Sequence, residues 1–141
     1  MSDRLNEQLR RHEGVKRHVY QDHLGFWTIG VGRLVDERGG LGLSEDEIDL
    51  LLKNDIKRSQ RELSENFIWF KDLNEARKDA FTNLHFNLGL PRLLSFKKTI
   101  QHMENGDYIL ASEELLDSKY ARQLENRSAE VAEMIATGEY P

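Results

Sequence analysis

Apolar residues recur at two different periods along this chain, and the change of period divides it. Near the start, Leu5 and Leu9 stand one helical turn apart in a charged stretch. That spacing predicts a short amphipathic helix over residues 3–11, with Ser2 as its N-cap. Gly14 stops it and leaves Glu13 at the helix's C-terminal end, an unusual place for a carboxylate because the helix dipole is negative there. From Arg17 to Ile29 the period shortens to two. HVYQD and FWTI read as strands joined by a hairpin turn at His23-Leu24-Gly25. Alternation along the second strand puts Trp27, Ile29 and Val31 on one face and Phe26, Thr28, Gly30 and Gly32 on the other. Two glycines beside Thr28 leave that face bare. This suits a ligand lying against the backbone, and equally suits the relief of a sharply twisted strand.

Past a glycine-rich connection (Gly39, Gly40, Gly42), Ser44 and Glu47 form a capping box. Ile48, Leu51, Leu52, Ile56 and Leu63 then keep helical spacing to about residue 64. Phe67-Ile68-Trp69-Phe70 is an aromatic knot suited to a core. Asn74 caps a second strong helix with Ala76, Ala80, Phe81, Leu84 and Leu88 inward, ended by Gly89 and Pro91. Three shorter helices are expected over residues 96–104, 108–118 and 127–137, after Ser95, after Asp107 and before Gly138. The outline is a hairpin lobe (13–43), a connecting helix (45–64) and a helical lobe (65–141, with helix 3–11), an α+β architecture.

At 141 residues the chain suffices for one domain with a real core. It has no cysteine, so folding depends on no disulfide. The first twenty residues carry five basic and three acidic side chains and no apolar run, so neither a signal peptide nor a membrane span is expected. A net charge of −5 argues against a nucleic-acid partner. The acidity is uneven: residues 104–141 hold nine acidic and three basic side chains, which reads most simply as a solvated face.

The candidate chemistry lies in HEGVKRHVYQDHLGFWTIGVGR. Eight residues separate Glu13 from Asp22, and five separate Asp22 from Thr28. Acid-catalysed glycoside cleavage needs one carboxyl to protonate the leaving oxygen. It needs a second that stays ionised, to direct water or support charge on the sugar ring. A metal site is not expected, because HExxH would require histidine where Lys16 stands, and His18 and His23 fall on the hairpin, away from His12. Nor do Gly25, Gly30 and Gly32 form a phosphate loop, since no GK[ST] follows. No cofactor is expected.

The HEG…YQD…WTIGVGRL stretch, followed in order by NLHFNLG, SKYARQLENRSAEV and TGEY, resembles the phage-type lysozymes of glycoside hydrolase family 24, particularly their T-even phage members. The resemblance runs nearly end to end. It implies a lysozyme-like fold with an active-site cleft between the two lobes. It also implies cleavage of the β-1,4 bond between N-acetylmuramic acid and N-acetylglucosamine in peptidoglycan, with inversion. Carried over by position, Glu13 is the general acid, and Asp22 and Thr28 hold and activate water. Gly32 and Leu34 line the strand-side wall, Phe86 and Asn87 match a Phe–Gln pair beneath the sugar, and Thr99 matches a Ser in the cleft. Glu114 stands in place of Asn, Lys119 in place of Arg, and Arg127 matches the arginine paired with the catalytic glutamate. The implied partner is the peptidoglycan glycan strand, met by a monomer. The implied setting is synthesis in a bacterial host's cytoplasm and action on the periplasmic wall after release by a holin-type factor, or carriage on a virion.

Three departures from the family bear on function. The connection after the hairpin is markedly shorter, which is expected to remove a third strand or loop. Arg33 replaces a histidine whose partner position is Asp55, so an Arg33–Asp55 ion pair is expected. The chain is acidic where the T-even members are basic. Two other functions stay open: a lytic transglycosylase forming a 1,6-anhydro product at the same bond, and a catalytically weak wall-binding module of a phage particle.

Overall fold

The computed structural model describes residues 3–36 and 39–141. Its elements are α1 (Asp3–Glu13), β1 (Lys16–Gln21), β2 (Trp27–Gly30), β3 (Arg33–Leu34), α2 (Glu45–Asn66), α3 (Glu75–Leu88), α4 (Leu90–Leu94), α5 (Lys97–Asn105), α6 (Tyr108–Leu116), α7 (Lys119–Gln123) and α8 (Glu125–Thr137). The strands make one antiparallel sheet in the order β1-β2-β3, so the fold is α+β as expected. Ser2, expected as an N-cap, lies outside the described residues. The chain divides into two units, residues 1–51 and 52–141, with the boundary inside α2. Helix α1 falls in the first unit by its contacts, whereas the sequence reading joined it to the helical lobe.

In the first unit, α1 ends where the Gly14 N–H bonds Arg10 O at 2.9 Å, with Gly14 at φ +78°, a conformation glycine adopts without steric cost. The hairpin pairs Tyr20 with Thr28 and Gln21 with Trp27, and its register slips between Lys16 and Tyr20. Asp22 builds the turn. Its Oδ1 accepts the N–H groups of Leu24 and Phe26, each at 2.9 Å, as short acidic side chains do in loops. The short connection does not remove the third strand. Gly32 turns the chain back, and two residues pair, Leu34 with Thr28 and Arg33 with Ile29.

The capping box at α2 forms as expected. Ser44 N–H donates to Glu47 Oε1 at 2.8 Å, and Glu47 N–H reaches Ser44 Oγ at 3.4 Å. Arg33 and Asp55, expected as a pair, are each engaged within their own unit. The Arg33 guanidinium instead takes both oxygens of Glu47, and it also donates to Gly42 O at 2.8 Å. Asp55 pairs with Arg58 on its own helix at 3.7 Å. A carboxylate already oriented by a capping box presents its two oxygens to a planar guanidinium at little further entropic cost.

The second unit packs around Leu63, Phe70, Phe81, Leu84, Met103, Leu115, Val131 and Ile135, all buried. Phe67 stacks on Trp69 at 5.0 Å between ring centroids, and Trp69 meets the Phe81 ring edge-on at 5.2 Å. Ile68 breaks the aromatic knot: at 84 % exposure it points to solvent. In α3 the five residues expected inward are all buried, and the Asn74 side chain accepts the Arg77 N–H at 2.9 Å. Arg77 Nε and Asn74 Nδ2 then satisfy carbonyls at the end of α8, those of Ile135 and Gly138. His85, also buried, bonds Ser59 Oγ through Nδ1 and Glu62 through Nε2, which ties α3 to α2.

Pro91, expected to end a helix, opens one: it sits in the first turn of α4, where a missing N–H costs nothing. Helix α7, capped by Ser118, is a second five-residue element that the spacing did not reveal. Helices α5 and α8 start at Lys97 and Glu125 rather than at 96 and 127, and the Ser95 hydroxyl turns back to Arg92 O instead of capping α5.

Candidate active site

Glu13 is the last residue of α1, and the turn between β2 and β3 comes to its side chain. A Cβ placed on Gly32 would stand 2.6 Å from Glu13 Oε2 and 2.9 Å from its Cδ. The carboxyl therefore occupies the space a side chain at position 32 would fill. The space beside Gly32 belongs to Glu13 in this unit, and Gly32 also holds φ +68°. At Gly30 the same construction meets nothing within 4 Å, so that glycine serves the backbone turn alone.

Asp22 and Thr28 are anchored on one residue. The Phe26 N–H donates to Asp22 Oδ1 at 2.9 Å, and the Phe26 carbonyl accepts the Thr28 hydroxyl at 3.0 Å. The same carbonyl accepts the Asp22 N–H at 2.9 Å. The Asp22 carboxylate and the Thr28 hydroxyl are thus set by the peptide groups on either side of the Phe26 Cα. Thr28 is 2 % exposed, which locks its rotamer. Its single hydroxyl hydrogen goes to Phe26, so toward any other partner the oxygen acts as an acceptor. Leu34, paired with Thr28 across the sheet, shares its face. Phe26 is the anchoring position that motif reading passes over, because its contribution is main-chain and leaves no mark in residue type.

In the second unit Phe86, Asn87 and Arg127 come together. Phe86 is half-exposed and lines a pocket of about 330 Å³ with Leu52, Ile56, Thr82, Asn83 and Arg127. The Arg127 guanidinium donates to Asn83 Oδ1 at 3.0 Å, to Asn87 Oδ1 at 3.2 Å and to the Asn83 carbonyl at 3.4 Å. Asn83 was not singled out from the sequence. Its signal is an amide one turn before Asn87 on the same face of α3. The remaining expected contacts lie elsewhere on this unit. Thr99 and Glu114 line one depression and Lys119 another, the two sharing Ser95 and Phe96. Thr99 is only 3 % exposed, so little of it is available to a ligand. Among the described residues no cluster of three or more His, Cys, Asp or Glu side chains is arranged to hold a metal, and no helix is long and apolar enough to cross a membrane.

The phage lysozyme family model matches residues 10–131. The chain is 25 % identical over 164 aligned residues to probable T4-type lysozyme 1 of Dictyostelium discoideum, with 98 % of this chain and 96 % of that protein covered. It is 27 % identical to the pre-baseplate central spike protein Gp5 of Enterobacteria phage T4, where the match takes in 95 % of this chain and 28 % of the spike. An endolysin of Acyrthosiphon pisum secondary endosymbiont phage 1 is 26 % identical over 77 % of this chain and 72 % of its own length.

Proposed function

The chain belongs to the phage lysozyme family, and from that premise we propose that it cleaves the β-1,4 bond between N-acetylmuramic acid and N-acetylglucosamine by a single displacement with inversion. As a lysozyme it is a glycoside hydrolase, with peptidoglycan as substrate and the cell wall as its place of action. In the proposed step the Glu13 carboxyl gives its proton to the glycosidic oxygen as the bond to the anomeric carbon breaks. A water attacks that carbon from the opposite face and loses a proton to Asp22.

The observation that carries this reading is the shared anchor at Phe26. Because Thr28 donates to the Phe26 carbonyl, it can only accept from the water. One water hydrogen then goes to Thr28 and the other to Asp22, which leaves a lone pair for the sugar. A nucleophilic Asp22 would need no such acceptor beside it. Arg127 is the proposed charge partner of Glu13. Gly32, Leu34, Phe86, Glu114 and Lys119 are proposed to contact the glycan or its substituents, and the buried Thr99 to support that surface from behind.

Digestion of purified peptidoglycan, with product masses and NMR of the newly formed reducing end, tests the step. Hydrolysis with inversion yields a new reducing end that is initially α. A first-formed β anomer would mean retention, and 1,6-anhydro products would mean a lytic transglycosylase. The Glu13→Gln variant is expected to fall by at least about 10²-fold. If it cleared walls as well as wild type, Glu13 would not be the acid, and a wall-binding module would be the better description.

We further propose that the protein acts as a monomer, made in a bacterial host's cytoplasm and passed to the periplasm by a holin-type factor. The similarity to a phage spike protein favours one second reading, an enzyme carried on the virion.

A further inference from the structure

Asn83 and Asn87 lie four residues apart on α3, so their amides project from one face of the helix, with Phe86 beside them. Arg127 crosses from α8 to that face. Its Nε–H goes to Asn83 Oδ1, one Nη1–H to Asn87 Oδ1 and one Nη2–H to the Asn83 carbonyl. A guanidinium has five N–H groups in a rigid plane, and three contacts on all three nitrogens fix the orientation of that plane as well as its position. Free arginine side chains sample many rotamers, so holding one in place removes that freedom before any ligand arrives. The group held in this way lines the Phe86 pocket.

We propose that Asn83 and Asn87 are positioning residues that act through Arg127. Together they form an amide clamp that holds the guanidinium ready at the wall of a pocket that Asp79 also lines. The inference rests on the glycosidase reading for its consequence and changes one assignment within it. The resemblance places Asn87 beneath the sugar, where relatives carry the longer glutamine. Here the shorter amide turns its oxygen to Arg127, so Asn87 serves the arginine and not the sugar.

Kinetics on soluble peptidoglycan fragments separate the two roles. Asn83→Ala and Asn87→Ala are each expected to lower kcat about tenfold with KM unchanged, because a misplaced group costs rate rather than affinity. In an Arg127→Ala background neither substitution should lower kcat further. Asn87→Asp, which keeps the acceptor at the same reach, should recover most of the loss. A rise in KM at unchanged kcat, or a full effect in the Arg127→Ala background, would return Asn87 to the substrate and overturn the clamp.

A second measurement needs no turnover. In the Glu13→Gln protein, the Arg127 Nε–H should exchange with solvent at least about tenfold faster once Asn83 is replaced by Ala, since its acceptor is lost. Unchanged exchange would overturn the clamp directly. If wild type fails to cleave peptidoglycan, the glycosidase reading fails while the exchange measurement still decides whether the arginine is held.

Discussion

At position 32 the backbone and the proposed acid, Glu13, demand the same residue for different reasons. A side chain there would bear left-handed strain at φ +68° and would also meet the Glu13 carboxyl at 2.6 Å. The strain costs about 1–2 kcal/mol. The collision is relieved without unfolding, because the carboxyl is the far end of a flexible side chain and simply moves. Gly30, at φ +70° with open space around it, isolates the first effect. Gly32→Ala and Gly30→Ala should therefore lose similar stability in thermal melts, about 1–2 kcal/mol each. Only Gly32→Ala should also lose activity on peptidoglycan, by about 10²-fold, the scale expected when a catalytic group is displaced by an ångström. Equal activity losses in the two variants would refute the assignment. Alternation in the sequence places both glycines on the bare face of Thr28 but cannot rank them. Their difference depends on where the end of α1 meets the β2–β3 turn, which is a tertiary fact. The anchor at Phe26 was beyond sequence reading for another reason: every residue type offers the same peptide groups.

Elements were legible where their signals are local. The Ser44–Glu47 box spans four residues and states its own geometry, and the inward stripe of α3 follows from period alone. Helices α4 and α7 are five residues each, too short for a 3.6-residue period to show, so Pro91 read as a stop when it is a first-turn residue. Arg33 illustrates the limit for pairs. Its true partner is fourteen residues away and was chosen by the β3-to-α2 connection, not by any motif. That pairing has a measurable consequence. Bonds from Arg33, then from the Ser44 N–H and hydroxyl, pull the Glu47 carboxyl down from about 4.5 to about 2. A folded value below the unfolded one means stabilisation is fully present above about pH 4.5 and is lost as pH falls toward 2. Glu47→Gln should accordingly melt below wild type near neutral pH, with the gap closing across that acid window. A gap that stayed constant from pH 7 to 2 would mean that Glu47 contributes packing and not charge.

For the whole molecule, the α+β class and the family motif were readable because both rest on sequence order, and the net charge was readable because it is a sum. Residues 104–141 sum to −6 and the rest of the chain to +1, so the −5 total resides in that segment and is expected to repel anionic wall polymers at long range. Short-range contacts such as the Asn83–Arg127 bond at 3.0 Å lie well inside any screening length. Salt therefore acts on approach more than on the site. The Debye length shrinks from about 30 Å at 0.01 M to about 8 Å at 0.15 M, so repulsion felt at low salt is mostly removed at physiological strength. Wall-clearing rates should accordingly hold level or rise between those salt concentrations. Cleavage of short uncharged glycan fragments, which feel no such field, should stay flat across the range. Arg92 and Lys119 line one depression of the helical unit and provide the means by which this expectation could fail. If those cations dominated binding to the wall, salt would inhibit steeply on whole walls and leave the short fragments unaffected. That outcome would show that a local basic groove, and not the overall charge, governs how the enzyme meets its substrate.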